Sequence, residues 1–161
     1  FAQRLVEVQP QGPYHIVGYS FGATVAFEMA VQLQGAGAPV GSLVLLDGAP
    51  RYIQVHKAPP VLCDVHVRPQ VKRQMVQYPT WEAKQEAATD LLMAGILDVR
   101  PSREDVALAT SAFYDFLKAG SAYAPTAKFR GDVTLVKPSR PRKMDMQLPP
   151  DYGLSEVRGV R

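Results

Sequence analysis

A serine held between glycines, Gly18-Tyr19-Ser20-Phe21-Gly22, joins two apolar stretches of different period. Ahead of it, Tyr14–Tyr19 (Y-H-I-V-G-Y) has the length of a strand and is apolar on both faces at its centre, as a strand inside a parallel sheet is. After it, Gly22–Gln34 reads as a helix. Its polar residues Thr24, Glu28 and Gln32 fall four apart in one narrow stripe, while Val25, Ala26, Phe27, Met29, Ala30 and Leu33 make the rest apolar. Most of that helix is therefore expected to be buried, and Gly35 and Gly37 end it. Ser42–Leu46 (S-L-V-L-L) is a second buried strand, closed by Asp47-Gly48-Ala49-Pro50. Strand, helix and strand in so short a span make a right-handed βαβ unit. The expected fold class is α/β with a mostly parallel sheet.

Proline organises the remainder. The chain has 14 prolines, but none between Pro13 and Pro39 or between Pro101 and Pro125. Those gaps are expected to hold the longest regular elements, because proline breaks helices and central strands. Residues 51–125 read as a helical insertion. Thr80 can cap a helix to about Gly95, with Ala87, Ala88, Leu91 and Leu92 along one side. Ser102 with Asp105 three residues on is a capping-box-like start, and Val106, Ala109, Phe113, Phe116 and Leu117 repeat behind it at helical spacing. Asp132–Lys137 returns to a strand pattern. The tail to Arg161 is rich in turn residues and holds no recognisable element. The expected division is a single domain over 1–161, with a core in 1–50, the insertion in 51–125 and a closing strand and tail in 126–161.

Bare, G-x-S-x-G says little. Between a buried strand and a buried helix it stands where the nucleophile elbow of an α/β-hydrolase belongs. There the turn is tight enough to strain the serine backbone, and flanking glycines relieve the crowding. Ser20 is the candidate nucleophile. The helix behind it presents backbone N–H groups and its positive end to a developing oxyanion, and the N–H of Phe21 is the candidate donor. Asp47 ends the next strand, so it belongs at the same sheet edge, where a carboxylate can orient a histidine. Position alone leaves open whether Asp47 does this or caps a turn with Gly48. No histidine suits the general base: His15 lies inside the strand below Ser20, and His56 and His66 lie in the insertion. His56, Cys63 and His66 make a poor zinc set, lacking a fourth ligand and regular spacing. Cys63 has nothing nearby to depress its pKa.

The segment G-P-Y-H-I-V-G-Y-S-F-G-A-T-V-A-F-E-M-A-V-Q-L-Q (Gly12–Gln34) resembles the nucleophile strand, elbow and helix of the thioesterase domain of animal fatty acid synthases. L-V-L-L-D-G-A-P (Leu43–Pro50) is similar to the segment with that family's triad aspartate. S-A-F-Y-D-F-L (Ser111–Leu117) and Y-A-P-T-A-K-F-R-G-D-V-T-L-V-K (Tyr123–Lys137) resemble the end of its helical insertion and the next core strand. The resemblance implies a partial α/β-hydrolase fold with a helical lid insertion, in which Ser20 attacks an acyl thioester and Asp47 orients the histidine. It implies a groove for a long acyl chain lined by Phe113 and Tyr114, although ordinary packing of the insertion explains those two residues equally well. The implied substrate is a fatty acyl group on the phosphopantetheine of an acyl carrier protein domain, in the same parent polypeptide, with no metal or redox cofactor. The family's G-D-H segment is missing, and few strands precede Ser20, so the resemblance implies an interior part of a longer domain. Without the histidine this polypeptide is expected to be nearly inert, since losing it costs on the order of 10⁶ in turnover in a serine protease. A polyketide or nonribosomal peptide synthase thioesterase shares the elbow and the acid, and a non-catalytic carrier-interaction remnant or a free-standing carboxylesterase are further alternatives.

Other classes are disfavoured. Hydrophobic residues at 47% and charged ones at 20% are ordinary for a globular protein, and no apolar run reaches the ~18 residues of a membrane span. Cys63 is the one cysteine, which excludes an internal disulfide and fits a reducing, cytoplasmic setting. Lys137, Arg140, Arg142 and Lys143 cluster between prolines, either as a solvated loop or as a docking patch for an acidic partner. A nucleic-acid surface would interleave its basic residues with aromatics, and this cluster does not.

Overall fold

The structure, a computed structural model, describes residues 1–52, 77–95, 101–140 and 149–159. It divides into two compact units, Phe1–His56 with Gly120–Arg161, and Lys57–Ala119.

In the first unit, helix α1 (Ala2–Val8) leads into strand β1 (Tyr14–Tyr19), helix α2 (Phe21–Gly35), strand β2 (Val40–Leu46) and strand β3 (Val133–Val136). The three strands form a parallel sheet in the order β1-β2-β3. Ile16 is level with Leu43, and Leu43 with Val133; Gly18 is level with Leu45, and Leu45 with Leu135. This row of side chains faces α2. Ala23, Ala26, Phe27, Ala30 and Leu33 of the helix are all buried against it. Alanines recur on that face, so the helix axis lies close to the strands. Phe27 and Leu33 are enclosed almost completely, each contributing roughly 1.5–3 kcal/mol of burial, and Phe129 meets Phe27 edge to face at 6.1 Å.

The sheet departs from expectation on its other face. β1 is buried at alternate residues only, and Val17 and Tyr19 are 62% and 68% exposed. Apolar character on both faces therefore reports two potential faces of contact, of which α2 fills one. The polar stripe of α2 reaches solvent fully only at Gln32. Thr24 is buried and donates to Ala49 O at 3.4 Å, and Glu28 accepts hydrogen bonds from Tyr123, Thr126 and Gln32.

Two elements go beyond the sequence reading. α1 packs Ala2 and Leu5 into the core, and the Tyr14 hydroxyl donates to Gln9 O at 2.9 Å just beyond it. The tail carries a short 3-10 helix (Leu154–Glu156) and pairs Phe129 with Arg158 as a parallel bridge, burying Tyr152, Leu154 and Val157.

In the second unit, helices α3 (Trp81–Gly95) and α4 (Arg103–Ala122) begin at the expected caps. Thr80 Oγ1 accepts from Ala83 N at 3.2 Å and Ser102 Oγ from Asp105 N at 3.0 Å. The buried seam of α4 differs from the expected one. It runs through Val106, Thr110 and Tyr114, whereas Ala109 is exposed and Phe116 is half exposed. Thr110 enters the interior because its hydroxyl bonds back to Val106 O at 2.7 Å, so its polar group needs no outside partner.

Candidate active site

Ser20 is the residue between β1 and α2, and its backbone has φ 53° and ψ −121°. That conformation is rare for a residue with a Cβ and costs on the order of 1–3 kcal/mol. The surrounding packing holds it there. The Ser20 N–H donates to Leu46 O at 2.9 Å, and Ser20 O accepts from Ala23 N at 3.0 Å. A Cβ on Gly18 would lie 2.3 Å from Gly22 O, and one on Gly48 would lie 2.4 Å from Ser20 O. Gly22 differs: a Cβ there meets nothing within 4 Å. The crowding expected on both sides of the serine is thus on the strand side and on the neighbouring Asp47-Gly48 turn. Ser20 stands at the N-cap of α2 without using its hydroxyl as a cap, and it is exposed.

Asp47 follows Leu46, which pairs with Tyr19 across the sheet, so it stands beside Ser20 at the carboxyl ends of adjacent strands. Its N–H donates to Val136 O at 2.8 Å, its φ is 45°, and its Oδ1 is withdrawn from solvent. Aspartate tolerates this left-handed backbone better than most residues do. Phe21 opens α2 directly after the serine. A hydroxyl, a carboxylate and the first amide of a buried helix thus share one sheet edge. That set can support attack on an acyl carbon once a base takes the hydroxyl proton.

His15 is not that base. It is five residues back along β1, about 16 Å of strand, and its Nδ1 is paired with Ser42 Oγ at 2.8 Å. His56, Cys63, His66, Arg142 and Lys143 lie outside the described residues. Among the described residues no three His, Cys, Asp or Glu side chains gather as a metal site needs. No described helix is long and apolar enough to cross a membrane. Of the basic cluster, Lys137 is engaged: its Nζ donates to Pro150 O at 2.6 Å and lies 5.7 Å from the centre of the Tyr152 ring. Arg140 is exposed.

Phe113 and Tyr114 belong to the second unit. Tyr114 is 2% exposed and packs edge to face on Trp81 at 5.5 Å and on Phe113 at 6.3 Å. Burial pushes its pKa up to about 12.

The parallel sheet with a strained serine between strand and helix defines an α/β-hydrolase fold. A thioesterase domain family model matches residues 1–132, and the chain belongs to that family. Over 60 residues it is 42% identical to a dimodular nonribosomal peptide synthase of Bacillus subtilis (strain 168), a match covering 37% of this chain and 2% of the synthase. Over 50 residues it is 54% identical to an indigoidine synthase of Streptomyces lavendulae, covering 30% and 4%. The aligned stretches are thus a few per cent of those proteins. Among solved structures, the NocB thioesterase domain in covalent complex with a fluorophosphonate nocardicin G analogue superposes with a TM-score of 0.55 at 23% identity, over 99% of this chain and 55% of that one.

Proposed function

We propose that this chain forms part of a serine thioesterase domain that releases an acyl or peptidyl chain from the carrier domain of a nonribosomal-peptide-type assembly line in a reducing cytoplasm. Ser20 attacks the thioester carbonyl, the Phe21 N–H receives the oxyanion, and Asp47 orients the histidine that moves the proton. The carrier thiol leaves, and water or an internal nucleophile then takes the acyl group from Ser20. The observation that carries this reading is the strained, exposed Ser20 beside Asp47 at one sheet edge. The named synthases support the peptide assembly line. Release of a plain fatty acyl chain in an animal fatty acid synthase, the first expectation, has the Gly12–Gln34 and Tyr123–Lys137 blocks in its favour, but the synthases named above favour the peptide assembly line over it.

A fluorophosphonate tests the proposal. The full-length parent polypeptide, with the histidine the mechanism needs, is treated with the probe and its adduct is mapped by peptide mass spectrometry. The expected result is one adduct, on Ser20, that disappears in Ser20→Ala. A parent polypeptide that leaves Ser20 unlabelled points instead to a carrier-binding role without catalysis.

A further inference from the structure

Among the described residues three other than glycine have a positive φ: Ser20, Asp47 and Tyr152. The first two are the candidate nucleophile and its carboxylate. Tyr152 is the third, with φ 53°. For a bulky aromatic residue this backbone is an outlier that costs on the order of 1–3 kcal/mol. Its surroundings hold it there. The Asp151 carboxylate accepts from Gly153 N at 3.1 Å and from Ser155 N at 2.8 Å, and Tyr152 N donates to Pro149 O at 2.9 Å. The ring so placed is 4% exposed.

Two arms of the first unit join this ring to Asp47. One is the turn over residues 47–52. Tyr52 packs on Tyr152 with ring centres 5.2 Å apart, Arg51 pairs with Glu156, and Tyr52 N donates to Ala49 O at 3.0 Å. The same turn is pressed on α2: a Cβ on Gly48 would lie 3.0 Å from Ala23 Cβ, and Ala49 O accepts from Thr24 Oγ1. The other arm is β3. Val136 O accepts the Asp47 N–H at 2.8 Å. The next residue, Lys137, donates to Pro150 O at 2.6 Å and lies 5.7 Å from the centre of the Tyr152 ring. Both arms meet at one ring.

We infer that Tyr152 is a positioning residue for the reaction: its ring braces the turn over residues 47–52 together with Lys137, and so fixes the Asp47 carboxylate relative to Ser20. This rests on the proposed thioesterase activity. A carboxylate held beside a histidine stabilises the imidazolium and raises the pKa of the ring. A carboxylate that drifts does so less, and the site then loses proton transfer without losing its serine. Misplacement by about 1 Å costs on the order of 10²-fold in rate.

The test measures the rate at which a fluorophosphonate labels Ser20 in the full-length parent polypeptide, as a function of pH. Tyr152→Leu removes the ring and keeps an apolar side chain, whereas Tyr152→Phe keeps the ring. Leu154→Ala is the control for plain destabilisation, because Leu154 is buried in the same tail but packs into the core with Phe129 and Val157. Tyr152→Leu is expected to label roughly tenfold or more slowly. Its pH midpoint is expected to move to lower pH, since a histidine with less carboxylate support gives up its proton more readily. Tyr152→Phe is expected to restore the parent's rate and midpoint. Leu154→Ala is expected to lower Tm and to leave the midpoint in place. Hydrogen exchange at the Asp47 and Tyr52 amides is expected to quicken in Tyr152→Leu and not in Leu154→Ala. An unmoved midpoint in Tyr152→Leu, the same displacement in Leu154→Ala, no restoration by Tyr152→Phe, or unchanged exchange at those two amides each overturns the inference. Equal labelling in the parent and all three variants overturns it while the thioesterase proposal stands. A parent that never labels at Ser20 overturns the thioesterase proposal and this role with it, so the two failures are told apart.

Discussion

At Ser20 the backbone is bent into a conformation that favours glycine, and its neighbours make room for it. Gly18 and Gly48 do so by lacking a side chain where the elbow and the Asp47 turn close on each other. Gly22 shows that the motif and the crowding are separable. Gly18→Ala drives a methyl group to 2.3 Å from Gly22 O and 2.7 Å from both Ala23 Cα and Ala26 Cβ. Backbone and helix must shift, and the expected loss is roughly 1–3 kcal/mol, together with loss of fluorophosphonate labelling at Ser20. Gly22→Ala enters open space in the first turn of α2, and the expected change is within about 1 kcal/mol, towards greater stability. Urea melts of the two variants decide this, and equal losses would mean that the elbow is crowded on both sides. The sequence motif showed which residue is strained, since a short apolar strand and a buried helix leave only a sharp turn between them. It could not show which glycine relieves the strain, because that depends on how closely α2 approaches β1.

At the scale of elements, α2 acts as a core helix and as a binding strip for the segment that follows α4. Glu28 Oε2 accepts from the Tyr123 hydroxyl at 2.6 Å, and Oε1 from Thr126 at 3.3 Å. Gln34 accepts from Arg130 N at 2.8 Å and donates to Lys128 O at 3.1 Å. Side chains of α2 thereby tie down residues 123–130, which are followed by β3. Burial, then the hydrogen bond to Glu28 and its negative charge, raise the Tyr123 pKa far above its ordinary value. The folded state thus holds the phenolic proton more tightly than the unfolded chain does. The stability from this pair is complete below about pH 10, the unfolded value, and is lost as pH rises towards the raised folded value. A double-mutant cycle of Glu28→Gln and Tyr123→Phe is expected to give a coupling of roughly 1.5–3 kcal/mol at neutral pH, and Tyr123→Phe to flatten the alkaline fall in Tm. Additive losses would show that the contact does not hold the segment. Local pattern revealed β1, α2, β2 and the caps of α3 and α4, because each is specified by residues within a turn or two. It missed the tail, which is held by Phe129 N donating to Val157 O and Gly159 N to Phe129 O, pairings with no local signal. It misplaced the α4 seam, because an apolar repeat does not reveal that Thr110 satisfies its own hydroxyl.

The first unit as a whole has α2 packed against one face of its sheet, and apolar side chains on the other. Across that open face Val17, Val44 and Thr134 lie level, as do Tyr19, Leu46 and Val136, and Val136 is 47% exposed. β1 is also an edge strand among the described residues, and an apolar edge is a template for pairing with another chain. Both features favour association of this polypeptide through the sheet rather than through its helices. Val17→Lys places a charge in the middle of the exposed face of the edge strand, two residues before Tyr19 and on the side away from α2. It disturbs none of the contacts of Ile16 or Gly18, which point the other way along the pleat. Light scattering on a concentration series is therefore expected to show oligomers in the parent chain and a several-fold larger monomer fraction in Val17→Lys, with an unchanged circular dichroism spectrum. A charge on the helical side, at the exposed Gln32 of α2 (Gln32→Lys), is expected to leave association as it was. Equal relief from both substitutions would trace the effect to net charge and not to the open sheet. A parent chain that stays monomeric throughout the series would mean that Tyr19, Leu46 and Val136 are tolerated in water as they stand.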